Sequence, residues 1–229
     1  MAKQLERQKV AEEVLTQLRS RILTGKYAAG AKLPPERELA KEMGVNRASL
    51  REALKKLEHL GLVTIRQGDG TRVTHFEQTA GIELISHLIP LSPEITTDVL
   101  EFRRLFGREI ARLAAVRATP QDLAKLRDLA DQAREPSLSS EQVFDLDFAF
   151  YGAMAAASSN RVVGLLVNTV RNATDQFKPL LSILIVSRER VSAHHDELIA
   201  AIEARDGARA ADVAAQYLQD GEKRVLQGS

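Results

Sequence analysis

Two glycines, Gly44 and Gly61, bracket a helix with one face to bury and a second that must meet something negative. Leu50, Ala53, Leu54, Leu57 and Leu60 recur at spacings of three and four, which places them on one helical face. The polar side begins with Asn46, Arg47, Ser49 and Arg51. Cations in a first turn oppose the helix dipole, so their placement asks for an anionic partner outside the chain. Asn46 suits the N-cap, and glycine suits the left-handed backbone beside a helix end.

The flanking sequence fits this helix into a unit. A first helix is expected from about Gln8 to Thr24, with Val10, Val14, Leu18, Ile22 and Leu23 on one face. Pro34–Pro35 opens a short second helix from about Glu36 to Met43, where Glu36 and Glu38 complement the positive end. The third runs from about Arg47 to Leu60. Then "LVTIRQGDGTRVT" alternates apolar and polar residues around "QGDG", which predicts two strands and a hairpin turn. Helix, helix, tight turn, helix, hairpin is the order of a winged helix-turn-helix, expected over residues 1–75.

Beyond Phe76 the pattern becomes helical throughout. Helices are expected at about Thr79–Leu88, Ile95–Arg117, Pro120–Arg134, Ser139–Ala157, Arg161–Val186, Ser187–Ala204 and Gly207–Leu226. Residues 76–93, ending in "IPLSPE", read as a linker with a short helix, and 94–229 as an all-α antiparallel bundle. The fold class is mainly α, with one small β-hairpin as a wing.

Charge divides along the same line. Residues 1–75 hold 15 Lys and Arg against 9 Asp and Glu, whereas the rest holds 17 against 22. A basic head on an acidic body implies that the head alone meets a polyanion. The chain has no cysteine, which excludes disulfides, thiolate metal sites and thiol catalysis. The N-terminal residues lack the apolar core of a signal peptide, and the longest apolar run is too short to span a bilayer. A cytoplasmic protein with no membrane partner is expected.

Double-stranded DNA is the polyanion that suits this arrangement. Arg47 and Arg51 lie one turn apart, with Asn46 and Ser49 beside them, where a recognition helix meets base edges. Arginine pairs bidentately with guanine, which discriminates by about 1–3 kcal/mol. Arg37 is placed for the backbone, and Arg66, Gln67 and Arg72 on the hairpin for a neighbouring groove, with Gly68 and Gly70 permitting close approach.

"LPPERELAKEMGVNRASLREALKKLEHLGLVTIRQGDGTRV" resembles the N-terminal domain of the GntR family of bacterial transcription regulators. Matched position by position, that resemblance implies DNA contacts at Arg37, Asn46, Arg47, Ser49, Arg51, Gln67 and Gly68. Asn46 stands where the family usually has Ser or Thr, which bears on the operator sequence.

The helical remainder resembles the effector domain of the family's FadR-type branch, through "LEFRRLFGREIARLAAVRATPQDLAKL", "FDLDFAFYGAMAAASSN" and "HDELIAAIEARDGARAADVAAQYL". The common form of that domain holds a divalent metal with one Asp and three His. Here the positions fall on Asp147, Tyr151, His195 and Tyr217, so two imidazoles have become phenols. Phenols ionise near pH 10 and are poor ligands at neutral pH. No cofactor is expected, with Asp147 and His195 as the residual metal candidates. The two tyrosines are expected to bond Asp147 and His195 in a metal-free cluster, and His194 to be exposed.

The stretches "LVTIRQGDGTRVTHFEQTAGIELI" and "FDLDFAFYGAMAAASSNRVVGLLVN" are similar to fatty-acid-responsive members of the branch, which lack the metal triad. The resemblance implies a fatty acyl-CoA or lipid-derived carboxylate as effector, held by Arg103, Asp147, Tyr151, His195 and Tyr217. Arg103 needs an anionic partner, Asp147 or a ligand carboxylate, and Gly107 replaces the Glu usual four residues later. "FKPLLSILIVS" (177–187) reads as a buried helix or a tunnel lining for an acyl chain.

The expected protein is a homodimeric repressor or activator on a palindromic operator, controlled by a small acidic ligand. A metal-carboxylate sensor is the alternative within the family. A helical metal hydrolase built on Asp147, His194, His195 and Asp196 is the competing class, disfavoured by absent ligands and phosphate loop.

Overall fold

The computed structural model describes residues 2–91, 93–174 and 181–227. The chain divides into two compact units, Met1–Ser92 and Pro93–Ser229. In the first, α1 (Ala2–Leu23), α2 (Glu36–Glu42) and α3 (Arg47–His59) precede the hairpin β1 (Val63–Arg66) and β2 (Gly70–Val73). The strands pair antiparallel, Val63 with Val73 and Arg66 with Gly70. Alternation works as the sequence implies: Val63, Thr71 and Val73 face inward while Thr64 and Arg72 face out.

The core of this unit joins Val14, Leu18 and Ile22 of α1 to Leu39, Leu50, Leu54 and Leu57 of α2 and α3. Gly44 (φ +67°) makes the turn between those two helices. Gly61 (φ +72°) ends the connection after α3, and a Cβ there would stand 3.0 Å from Ala80 Cα and Thr79 O. The wing is tied back to the loop before α2: Leu33 N–H donates to Thr71 O at 2.8 Å, and Lys32 pairs with Asp69 at 3.1 Å.

The single helix expected at 79–88 is instead a run of short turns, with α4 (Phe76–Thr79) and α5 (Ile85–Leu88) flanking a 3-10 turn at Ile82–Leu84. Gly81, extended at φ −88° and ψ −179°, interrupts it. Leu84 is buried in the core of the first unit, and Phe76, Ala80 and Leu88 pack against it.

The second unit contains α6 (Pro93–Arg117), α7 (Pro120–Ala133), α8 (Ser140–Ala157), α9 (Arg161–Thr174), α10 (Arg188–Glu203) and α11 (Gly207–Gln227). Polar residues at the starts fix the boundaries. Thr119 with Asp122 and Ser139 with Gln142 form reciprocal capping boxes, and Ser187 caps α10. Helices α6 and α11 run antiparallel in close contact, because Gly107 faces Leu218 while Gly207 faces Arg112 and Val116. Small residues make this approach possible: Ala111, Ala114, Ala115, Ala210 and Ala214 are all buried in one core with Phe150, Met154, Leu198 and Ile202.

Of the long helix expected over 161–186, α9 covers Arg161–Thr174, and a 3-10 turn occupies Ser182–Leu184, with extended backbone at Ile185. Residues 175–180, part of the "FKPLLSILIVS" expectation, lie outside the described residues. No helix among the described residues is long and apolar enough to cross a membrane.

Candidate functional site

The start of α3, the start of α2 and the wing enclose an open groove of about 1140 Å³. Arg37, Arg47, Arg51, Gln67 and Gly68 all line it, together with Lys32, Lys55 and Arg66. Six cations face three carboxylates there, Glu36, Glu52 and Asp69. Arg47 and Arg51 keep 61% and 62% of their side chains exposed. Asn46 is exposed and caps α3, its Oδ1 accepting from Ser49 N–H at 2.9 Å. The cap uses the amide oxygen and leaves the NH₂ for a phosphate or base.

Ser49 is set apart from the arginines. Its side chain is 0% exposed, packed on the face that carries Leu50, Ala53 and Leu57, and its hydroxyl meets no partner among the described residues. Ser49, unlike Arg47 and Arg51, does not line the groove. Sequence reasoning also missed the anchor of the arginines. Glu36 Oε2 accepts from Arg51 Nε at 2.7 Å, and Arg47 Nη2 stands 3.8 Å from the same oxygen.

In the helical unit a polar cluster sits among α8, α10 and α11. Asp147 Oδ1 lies 3.1 Å from His195 Nε2, and the His195 ring stacks on Phe150 at 3.9 Å. Burial alone raises the Asp147 carboxyl, but the His195 hydrogen bond and charge, with Arg103 nearby, carry it below the ordinary carboxylate range. An ionised carboxylate only accepts, so His195 Nε2–H is the donor. The expectation for the phenols is corrected: Tyr151 pairs with His194, its hydroxyl 3.0 Å from Nε2, and not with Asp147 or His195. His194 is not exposed but fully buried, stacked on Tyr217 at 3.8 Å. The Tyr217 hydroxyl feels the charge of Asp147 but has no hydrogen-bond partner among the described residues. Adjacent histidines both turn inward because α10 is buried over a wide arc that includes Val191, Leu198, Ile199 and Ile202.

These donors do not fit a divalent metal. Burial pushes both phenols well above their usual range, so they stay protonated. Asp147 and one nitrogen of each histidine are already engaged within the cluster. Among the described residues no three His, Cys, Asp or Glu groups converge as ligands.

Beside the cluster, α6, α8, α9 and the turn at 182–184 enclose a cavity of about 120 Å³. Phe102, Phe106, Phe144, Phe148 and Leu218 supply apolar wall; Arg103, Asp147 and Tyr151 supply its polar groups. The structure therefore brings three of the five expected effector residues to the cavity, and places His195 and Tyr217 behind it. Arg103 is half-buried and makes no hydrogen bond or ion pair among the described residues. Gly107 also lines the cavity: a Cβ there would meet Leu218 Cδ1 at 2.5 Å and Tyr151 Cε1 at 3.2 Å.

Comparison with known proteins matches both units. Residues 10–73 fit the model of the bacterial regulatory proteins of the gntR family, and residues 98–220 fit the FCD domain. The chain is 32% identical over 223 residues to the uncharacterized HTH-type transcriptional regulator Rv0494 of Mycobacterium tuberculosis, covering 96% of this chain and 91% of that one. It is 32% identical over 154 residues to the fatty acid metabolism regulator protein of Pectobacterium carotovorum, covering 66% and 63%. The solved structure of Lar, which controls expression of the Listeria monocytogenes agr system, superposes with a TM-score of 0.61 over 96% of this chain and 97% of that one. At 17% identity that last likeness concerns the fold alone.

Proposed function

The chain belongs to the gntR family of bacterial transcription regulators, with an FCD domain behind its DNA-binding head, and on that premise we propose that it is a homodimer on a palindromic operator, controlled by an organic acid with an apolar body. It is a regulator and not an enzyme, as its relatives are. Two-fold protein symmetry is mirrored in the half-sites of such operators. Arg37, Asn46, Arg47, Arg51, Gln67 and Gly68 form the DNA contact set.

One observation carries the effector reading: Arg103, which makes no hydrogen bond or close ion pair among the described residues, lines a largely apolar cavity whose other polar groups are Asp147 and Tyr151. A guanidinium in that setting recruits a carboxylate, and the phenylalanines receive its hydrocarbon part. Asp147 Oδ1 already accepts from His195 Nε2 at 3.1 Å, so that oxygen is engaged within the cluster. The fatty acid metabolism regulator among the relatives supports a lipid-derived acid. Ordinary ligand pockets measure about 300–1,000 Å³, so the 120 Å³ cavity takes a short acid as it stands and requires its wall to open for an acyl-CoA.

Thermal shift of the full chain tests this, with short branched acids, fatty acids of increasing length and acyl-CoAs. Stabilisation by one chain-length class, lost in Arg103→Gln, is the expected outcome. Silence across all three classes, or an undiminished response in Arg103→Gln, contradicts it.

A further inference from the structure

Glu36 is the first residue of α2 and one of three carboxylates on the cationic groove. One of its oxygens gathers both cations of the α3 start: Arg51 Nε donates to Oε2 at 2.7 Å and Arg47 Nη2 approaches it at 3.8 Å. The carboxylate is the more sheltered partner, with 26% of its side chain exposed against 61% and 62% for the arginines.

The contact through Nε has a geometric consequence. A guanidinium presents five N–H groups in a rigid fork, and guanine is read through a parallel pair of donors. A carboxylate on Nε fixes the plane of the Arg51 fork and leaves its terminal nitrogens unspent. The charge has an opposite consequence. A carboxylate beside phosphates repels them and cancels part of a neighbouring cation, which weakens sequence-independent binding. Dipole complementation at the start of α2 does not require Glu36, because Glu38 lies in the same first turn.

We propose that Glu36 is a specificity-determining positioning residue: it holds Arg51, and more loosely Arg47, in the pose that reads bases, while its charge suppresses binding to DNA that lacks the operator. The proposal rests on the reading of the groove as the DNA interface. Glu36 acts through the arginines and touches no base itself.

The test uses full-length protein and two probes: a duplex selected by the wild type from a random-sequence pool, and a scrambled duplex of the same composition. Glu36→Ala should bind the scrambled duplex about threefold tighter or more, with a salt dependence steeper by about one phosphate. Its preference for the selected duplex should fall about tenfold, the discrimination expected of one misplaced bidentate contact. Glu36→Gln keeps an acceptor for Arg51 Nε, so it should gain scrambled affinity yet retain the preference within about threefold. In an Arg51→Ala background, Glu36→Ala should cause little further loss of preference, because the two act as a unit.

An unchanged preference in Glu36→Ala overturns the proposal, as does an equal loss with and without Arg51. A parallel drop on both duplexes with a lowered melting temperature also overturns it, since that is the signature of a weakened α2. If Glu36→Ala does not fold, Glu36→Gln decides, and unchanged scrambled affinity there is the contrary result. A wild type that selects no duplex overturns the groove reading together with Glu36. A preference abolished by Arg47→Ala but untouched by Glu36→Ala overturns the role of Glu36 alone.

Discussion

His195 Nε2 stands 3.1 Å from Asp147 Oδ1, with both side chains shut away from solvent. Removing the acceptor strands the buried N–H of its partner, at a cost of about 1–3 kcal/mol. Asp147→Ala should therefore lower the stability of the helical unit by about that amount, whereas Asp147→Asn, which preserves an acceptor, should cost about half as much. Urea unfolding followed by circular dichroism measures both.

His194 gives stability a pH dependence of known sign. Burial pushes its imidazole well below the ordinary 6.5, against the opposing pull of Asp147. The unfolded chain takes up a proton near pH 6.5 that the folded chain refuses, so stability is full above that pH and falls as pH drops below it. Asp147 adds a second loss at lower pH, below the ordinary carboxylate value of 3.8, because its folded value is depressed. Melting temperature should decline from pH 7 to pH 5, and His194→Gln should flatten that decline.

Gly107 permits α6, α8 and α11 to meet. A side chain there collides with Leu218 and the Tyr151 ring, both held by the surrounding core. Gly107→Val should cost about 1–3 kcal/mol by overpacking. Because Gly107 also lines the cavity, the same variant should lose any thermal shift with acids. Differential scanning calorimetry with and without the responding acid checks both effects.

Asn46 holds the start of α3 through the Ser49 N–H. Asn46→Ala should cost about 1 kcal/mol of stability, and Asn46→Asp should retain it. Asn46→Asp should nonetheless weaken DNA binding, since it places a new negative charge beside phosphates. Denaturant titration and fluorescence anisotropy separate the two effects.

Local signals made the first unit legible. Gly44, Asn46, Gly61 and the "QGDG" turn each act within a few residues, and the structure places a turn, a cap, a helix end and a hairpin there. The burial of Ser49 has a signal in the sequence: with Ala53 and Leu57 it repeats every fourth residue on the buried face. His194 follows the same rule, since Val191, His194, Leu198 and Ala201 step by three or four along α10. In both cases register on the apolar face, and not the polarity of the side chain, decides burial. The interruption at Gly81 and the 3-10 turn at Ser182–Leu184 have another cause. Apolar runs there satisfy helical spacing, and only tertiary context cuts them into turns. The clasp of Glu36 on Arg51 joins residues 15 apart on different helices, so no local pattern announces it.

Binding of the selected duplex by the wild type and by Arg47→Ala, across a salt series, tests the central claim most directly. The wild type should prefer that duplex over scrambled DNA by about a thousandfold or more near physiological salt. Arg47→Ala should lose at least about tenfold of that preference while keeping its fold and its oligomeric mass. Equal preference in the two proteins would contradict a base-reading role for the arginine-bearing start of α3.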